Sequence, residues 1–224
     1  MEKVQLLLRQ HVGAPCAPCV AVGDKVKKGT LIATPTGLGA NIFSSVYGEV
    51  SEILEDRIVI KADAEQPDEF VPIDVPEDAS KLDMIKAAGI VGMGGAGFPT
   101  GIKLNIDLSA TEQGEFREDI NPELPKDFKL EHSYILINDS ECEPGLAHNI
   151  KQTIEQTDKV IRGVKYCMEI TKADKAIFAI KKKNREAVLA LLDALKDEEN
   201  ISVHLLPDIY PMGEERAVVR ECLG

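Results

Sequence analysis

The sequence contains no tryptophan and no long apolar run. Its longest apolar stretches, such as residues 134–137 and 176–180, are far shorter than the roughly 20 residues that a membrane-spanning helix needs. Residues 1–10 also lack the small-residue cleavage site that ends a secretory signal peptide. We therefore expect a cytoplasmic protein without direct membrane insertion, which still allows a peripheral position on the cytoplasmic face of a membrane.

Positive charge is scarce as well. The 224 residues include 26 lysines and arginines against 38 aspartates and glutamates, which gives a net charge of −12. An acidic surface repels phosphate backbones, so nucleic acid is not expected as a partner. Apolar residues make up 44% of the chain and charged residues 29%, and this balance excludes disorder of the whole chain.

Cysteines are few and odd in number, at positions 16, 19, 142, 167 and 222. This usage is typical of a reducing compartment, not of a disulfide scaffold. Cys16 and Cys19 have the C-x-x-C spacing of a redox dithiol or half a zinc site. No second pair follows at ligand spacing, so we predict no metal site and interpret both residues as unpaired loop thiols.

The first part of the chain, residues 1–75, has the pattern of a small all-β domain. Short β-rich runs alternate with glycine and proline turns. The runs are residues 20–22, 31–33, 42–44, 49–51 and 57–60. A polar stretch at 64–77 follows, and then Ser80 and Asp83 form a capping box that predicts a helix ending near Gly89.

The second part, residues 76–224, is predicted to be a layered α/β domain with a parallel sheet, because strand and helix patterns alternate. Strands are expected at 134–137, 176–180 and 201–205. One helix is expected from Leu146 to Met168, with a polar gap at Thr157, and another from Asn184. After the last strand, Gly213 marks a loop that turns into a further helix.

A glycine-rich segment, G-I-V-G-M-G-G-A-G-F-P-T-G-I-K-L, occupies residues 89–104. Gly92, Gly94 and Gly97 match the G-x-G-x-x-G dinucleotide fingerprint by letter, but that fingerprint needs a preceding strand. Here a helix precedes it, and a polar insertion at 107–127 follows. Four glycines within six residues still let backbone N–H groups approach an anion, which predicts a phosphate or flavin cradle.

Two acidic pairs follow predicted strands. Glu141 and Glu143 come directly after the first strand of the α/β part, and Glu214 and Glu215 come after the last one. The carboxyl ends of parallel strands lie at one edge of a sheet, where α/β proteins bind ligands. We therefore expect both pairs at the same edge, although solvated loop charges and helix-dipole partners are the alternatives.

The stretch V-A-V-G-D-K-V-K-K-G-T-L-I-A, with the later I-F-S-S-V-Y-G-E-V, resembles the barrel-sandwich hybrid fold of biotinyl and lipoyl carrier domains. In those carriers a modified lysine lies at a hairpin tip. The corresponding segment here, Thr34 to Asn41, contains no lysine. A swinging-arm role is therefore disfavoured, and the domain is interpreted as a structural module.

Three motifs, G-M-G-G-A-G-F-P-T-G-I-K, N-D-S-E-C-E-P-G and Y-P-M-G-E-E, resemble the flavin subunit of respiratory complex I and, more closely, the RnfC family. The proline-reductase-associated electron-transfer protein is a similar relative. The resemblance implies a domain that binds FMN, accepts hydride from NADH and passes electrons to iron–sulfur clusters on a later region. It implies as partners NADH and a redox protein, either proline reductase or the Rnf membrane subunits.

The resemblance also assigns residue roles. Contacts to the flavin and its phosphate fall to Gly92, Gly94, Gly95, Gly97 and Lys103, and Phe98 lies near the nicotinamide or flavin ring. Asn138, Ser140 and Glu143 are expected to contact the ribityl chain and ring edge of the flavin or the NADH site. The floor of the site falls to Tyr210, Glu214 and Glu215. No residue is assigned as an acid or base, because hydride passes directly between stacked rings.

The chain departs from the family pattern in two places. Met93 stands where complex I has a basic residue, and Ile106 stands where it has a second aromatic residue. The chain also ends at Gly224, inside the flavin domain as the family defines it. We therefore expect these 224 residues alone to bind FMN weakly or not at all, to transfer no electrons beyond the flavin and to be inactive. The alternative function is a non-catalytic docking or scaffold protein that has lost the cofactor.

Overall fold

The computed structural model describes residues 2–93, 95–109 and 132–224. Two compact units divide the chain, Met1–Asn105 and Ile106–Gly224. Residues 76–105 thus belong to the same compact unit as the β-rich part. The domain boundary near residue 75 rests on the sequence pattern and stays a prediction. Most of the predicted insertion at 107–127 lies outside the described residues. Within the described ranges, no helix has both the length and the apolar character needed to cross a membrane.

In the part of the first unit that the structure describes, there are seven strands and two helices. They are β1 (Lys3–Leu7), β2 (Cys16–Pro18), β3 (Lys25–Val26), β4 (Leu31–Pro35), β5 (Ile42–Phe43), β6 (Gly48–Ile53), β7 (Arg57–Ala62), α1 (Lys81–Ala87) and α2 (Thr100–Lys103). Two antiparallel sheets form, in the orders β1-β7-β6-β3 and β2-β4-β5. Their core includes the fully buried Ile32, Val50, Ile58 and Ile60. The predicted barrel-sandwich unit is confirmed.

Helix α1 begins as the capping box predicts. The Ser80 hydroxyl accepts a hydrogen bond from the backbone N–H of Asp83, 3.1 Å away. Ala88 caps the other end, and Gly89 follows with φ +64°. The predicted strand at 20–22 is wrong. There the Asp24 carboxylate accepts the Ala21 N–H at 2.7 Å and Gly23 has φ +96°, so residues 21–24 form an exposed turn.

Among its described residues, the second unit contains three parallel strands and four helices. They are β8 (Tyr134–Asp139), α3 (His148–Glu155), α4 (Thr157–Thr171), β9 (Lys175–Lys181), α5 (Arg185–Ala194), β10 (Ile201–Leu206) and α6 (Glu215–Leu223). The sheet order is β10-β9-β8, so β9 lies in the centre. Phe178 and Ile180 on β9 pack in one cluster with residues of α4 and α5, and Ala179 packs in another with Val218 of α6. Burial of both faces confirms the layered α/β architecture.

The single helix predicted from Leu146 to Met168 is wrong, because the structure has two helices there. Gln156 has φ −136° and ψ 35°, which breaks the helix between α3 and α4. The Thr157 hydroxyl donates to the Thr153 carbonyl at 2.6 Å, one turn earlier. Threonine hydroxyls compete in this way with the backbone bonds of a helix. The polar gap in the apolar pattern therefore marks the break.

Candidate functional site

The glycine-rich segment forms a small hairpin in the first unit. Val91 pairs with Pro99 in an antiparallel bridge, and the Gly92 N–H donates to the Phe98 carbonyl at 2.9 Å. Met93 at its tip has 88% of its surface exposed. The base of the segment is therefore closed by backbone bonds, and its tip is open to solvent.

The glycines of this segment differ in the space around them. A Cβ built on Gly95 meets nothing within 4 Å, and one built on Gly92 comes no closer than 3.8 Å to another atom. Gly97 differs, because it has φ +67° and its Cβ would lie 3.1 Å from the Gln10 carbonyl oxygen. Fold and packing thus explain Gly97, whereas the open space at Gly95 suits a ligand. Gly94 lies outside the described residues.

Two further predicted residues accompany the hairpin. Phe98 keeps 42% of its surface exposed, and Lys103, the last residue of α2, is exposed. An exposed ring and an exposed ammonium are both accessible to a ligand. Their roles in stacking and in phosphate binding stay predictions.

The loops that follow β8 and β10 meet at one edge of the parallel sheet. The Asn138 side-chain amide donates to the Gly213 carbonyl at 2.9 Å. The Gly213 N–H in turn points to the Cys142 sulfur at 2.9 Å. These two bonds place the loop that carries Glu141 and Glu143 against the loop before α6. The two loops are thus neighbours, as the sequence predicts.

The three predicted residues at the end of β8 and in the loop that follows it differ in their surroundings. Asn138 is occupied by bonds within the loops, since its Oδ1 also accepts the Ser140 N–H at 3.3 Å. Glu143 is exposed. Ser140 is only 4% exposed, and its hydroxyl oxygen has no hydrogen-bond partner among the described residues. A buried hydroxyl without a partner costs free energy, so Ser140 is the one of the three whose position suits a bound polar group.

Glu141 is a residue whose fixed geometry the sequence does not reveal. Its Oε1 lies 2.8 Å from the His148 ring Nδ1 and accepts the Asn149 N–H at 3.1 Å, at the start of α3. Its Oε2 is buried without a partner among the described residues. Spacing alone gave no signal, because Glu141 reaches the helix across a loop. The free oxygen is an acceptor for a ligand hydroxyl.

A crevice of about 280 Å³ opens between the loops that follow β8 and β9. Its lining includes Glu141, Glu143, Lys181 and Lys183. Lys181 is 4% exposed, with its ammonium 3.6 Å from the Cys142 sulfur and 3.9 Å from an Asp208 oxygen. Lys181 could not be predicted as a buried residue from the sequence, because a run of three lysines usually lies on a solvated surface.

The residues predicted to form the floor of the site lie around the start of α6. Glu214 is the N-cap, and its carboxylate accepts the Ala217 N–H at 3.0 Å. Glu215 is the first helical residue and is exposed, and Tyr210 is 82% exposed. The helix-dipole interpretation therefore holds for Glu214, whose carboxylate satisfies a helix N–H. A ligand role for these three residues stays a prediction.

Cys16 and Cys19 have different environments. Cys16 is buried, with its sulfur 3.3 Å from the Ala40 carbonyl and 3.4 Å from the His11 ring, whereas Cys19 is exposed. Burial raises the pKa of the Cys16 thiol, which opposes thiolate chemistry. Among the described residues, no three His, Cys, Asp or Glu side chains form a group suited to a metal ion.

Asp139 is a buried carboxyl group that makes the free energy of unfolding depend on pH. It is 3% exposed, and the Thr153 hydroxyl donates to it at 2.9 Å. Burial raises its pKa. A raised folded-state pKa favours folding at low pH, and that contribution is lost as pH rises through the folded value. The Asp139→Asn variant has no such titrating group. The unfolding free energy of the variant should therefore increase relative to that of the parent as pH rises from about 4 to 7.

Urea unfolding at a series of pH values measures this difference, and Asp174→Asn is the matched control. Backbone and side-chain hydrogen bonds from Ser133 lower the pKa of Asp174. Its stabilisation is therefore present above the unfolded pKa and lost in acid, so the control should lose stability relative to the parent as pH rises. The same trend in both variants would contradict the assignment.

The donors and acceptors at the sheet edge fit a polyhydroxylated cofactor such as FMN. The unpartnered Ser140 hydroxyl donates and accepts, and the unpartnered Glu141 oxygen accepts. In the first unit, the open space at Gly95 lets a ligand approach the backbone.

Two families of known proteins match this chain. The Nuo51 FMN-binding domain matches residues 85–224, and the RnfC barrel sandwich hybrid domain matches residues 1–71. The chain belongs to the RnfC family.

Its relatives include two RnfC-family proteins that align with the whole chain. One belongs to the proton-translocating ferredoxin:NAD(+) oxidoreductase complex of Clostridium ljungdahlii and is 33% identical over 241 residues, covering 100% of this chain and 48% of that protein. The other belongs to the Na(+)-translocating ferredoxin:NAD(+) oxidoreductase complex of Acetobacterium woodii and is 29% identical over 239 residues, covering 100% of this chain and 49% of that protein.

A third relative has a different name. The cobalamin reductase PduS of Salmonella typhimurium is 35% identical over 131 residues, which cover 58% of this chain and 23% of that protein. The chain spans about half the length of the two RnfC-family proteins that it matches end to end. The shared part in all three relatives is thus one region of a longer protein.

Proposed function

We propose that this chain is the FMN-binding part of an RnfC-type electron-transfer protein that oxidises NADH. The observation that carries the proposal is the buried Ser140 hydroxyl without a partner among the described residues, at the sheet edge where α/β proteins bind ligands. FMN, when bound, accepts a hydride and releases its electrons singly, toward iron–sulfur clusters that we place outside these 224 residues.

The chain's own residues bind and orient in this proposal. Ser140 and the free oxygen of Glu141 bond hydroxyl groups of the cofactor or of NADH, and Glu143, Glu214 and Glu215 add acceptors at the same edge. The glycine hairpin with Lys103 binds the phosphate, and Phe98 and Tyr210 supply exposed rings. No side chain transfers a proton, because the reaction needs only that the two rings lie close together.

The redox partner follows from the relatives. Two of them are named as subunits of ferredoxin:NAD(+) oxidoreductase complexes, and one as a cobalamin reductase. We propose that this chain likewise acts within a larger redox assembly, with the Rnf membrane subunits or proline reductase as the partner. Copurification from the native host, followed by identification of the bound proteins, distinguishes the two.

Titration of FMN tests the cofactor directly. We expect saturable quenching of flavin fluorescence by the 224-residue protein and tighter binding by a chain extended to the length of its relatives, of which these residues cover about half. Absence of binding by both proteins would reject the proposal. It would favour the alternative function, a docking or scaffold protein without cofactor.

Ser140→Ala separates ligand binding from stability. Removing a buried hydroxyl that lacks a partner should leave the unfolding free energy unchanged or raise it by about 1 kcal/mol. Loss of one hydrogen bond to the cofactor should weaken FMN binding about fivefold. Denaturant unfolding and FMN titration of the same sample measure both. A loss of stability with unchanged affinity would mean that Ser140 has only a structural role.

A further inference from the structure

His11 lies at the centre of a contact between two loops of the β-sandwich. It belongs to the connection between β1 and β2 and is only 6% exposed. Its Nδ1 lies 3.1 Å from the Val12 carbonyl oxygen. Its Nε2 lies 3.1 Å from both the backbone nitrogen and the carbonyl oxygen of Ala40. The ring therefore ties residues 10–14 to the loop between β4 and β5.

The same connection touches the glycine hairpin. The Val12 N–H donates to the Ala96 carbonyl at 3.1 Å. A Cβ on Gly97 would lie 3.1 Å from the His11 Cα and equally close to the Gln10 carbonyl oxygen. Residues 96–97 are thus seated directly on the backbone of residues 10–12. This seat lies within the first unit.

We propose that His11 is a positioning residue, which fixes residues 10–12 as the seat of the glycine hairpin and makes the β-sandwich a structural part of the cofactor site. The effect on FMN binding rests on the proposed function. The effect on the hairpin does not, because it follows from contacts present without any ligand.

The physical reason is preorganisation. Among the described residues, the hairpin's own backbone pairing joins its base, Val91–Gly92 with Phe98–Pro99. A glycine-rich backbone loses much conformational freedom on ordering. A seat that holds residues 96–97 supplies part of that ordering before a ligand arrives, which raises affinity without adding a contact. A residue that shapes the seat thus acts on the ligand through the hairpin.

Two substitutions at His11 test the proposal. His11→Leu keeps a similar volume and removes both ring nitrogens. His11→Gln keeps an acceptor for the Ala40 N–H and a donor for the Val12 carbonyl. Amide hydrogen exchange is measured on the 224-residue protein without flavin. We expect His11→Leu to speed exchange at residues 92–98 about tenfold, with β6 and β7 unchanged, and His11→Gln to restore slow exchange.

Thr36→Val is the matched control. It removes a 2.9 Å bond from the Thr36 hydroxyl to the Pro15 carbonyl, which joins the same two sandwich loops, and it does not touch the hairpin. Exchange at residues 92–98 should stay at the parent rate. If His11→Leu fails to fold, Gly97→Ala is used instead. Its added methyl group pushes residue 97 away from the backbone of residues 10–11 and should speed exchange at the same residues.

Unchanged exchange at residues 92–98 in folded His11→Leu, or in Gly97→Ala if the first variant is unfolded, overturns the proposal. The FMN titration then separates the two ideas. Faster hairpin exchange with weaker FMN binding supports both. Faster exchange in a protein that binds no FMN in any variant supports the positioning role and rejects the cofactor.

Discussion

Gly213→Ala is expected to lower the free energy of unfolding by about 2–4 kcal/mol. A Cβ at this position would lie 2.3 Å from the Ser140 carbonyl oxygen and 2.8 Å from the Cys142 sulfur. Neither atom can move freely, because Asn138 and Cys142 both bond to Gly213 across the same junction. The two loops must therefore separate, and FMN binding should be lost with them.

Gly163→Ala provides the control for this prediction. It adds the same methyl group inside α4, where a Cβ meets nothing within 4 Å. Alanine in a helix interior is favoured over glycine by about 0.5–1 kcal/mol, so this variant should be more stable than the parent. Urea unfolding of both proteins measures the two opposite shifts. Near-parental stability of Gly213→Ala would contradict the close packing of the two loops.

Gly95→Val is expected to weaken FMN binding by about a hundredfold while leaving the fold intact. A Cβ built on Gly95 meets no atom of the described residues within 4 Å, so we expect valine to be tolerated without ligand. The added side chain fills the space through which a phosphate would approach the backbone. Loss of one or two bonds to a charged group, at about 1.5–3 kcal/mol each, accounts for the effect.

FMN titration checks this result, with circular dichroism as a test of folding. Gly37→Val is the matched control, because Gly37 is exposed in another turn of the same unit and its Cβ would come no closer than 3.8 Å to any atom. The control should bind FMN like the parent. If Gly95→Val binds FMN with the affinity of the parent, the hairpin tip is not part of the cofactor site.

The sequence predicted the parts of the fold that depend on local patterns. The runs at 31–33, 49–51 and 57–60 lie in strands, residues 42–43 of the run at 42–44 form β5, and the Ser80 cap begins a helix. The placement of two loops at one sheet edge also followed, because parallel strands share the direction of their carboxyl ends. The turn at 20–22 was missed, since three β-forming residues outweighed the Asp24 side chain that bonds back to Ala21.

Features that depend on contacts between distant residues could not be predicted. The seat of Gly97 on His11, the bond from Asn138 to Gly213 and the buried oxygen of Glu141 join residues far apart in the chain or reach across a loop. A single sequence does not specify which loops meet. The resemblance gave Ser140 a role, but its burial without a partner, which makes that role testable, is visible only in three dimensions.

The register of the first sheet has a consequence for the order of assembly during synthesis. Strand β1 pairs with β7, so Lys3 lies opposite Lys61 and the sandwich is complete once residue 62 has emerged from the ribosome. Its pairing spans nearly the whole sandwich and needs no later residue. The seat at residues 10–12 can therefore form before residues 91–99 have emerged, and the glycine hairpin then closes onto a surface that is already folded.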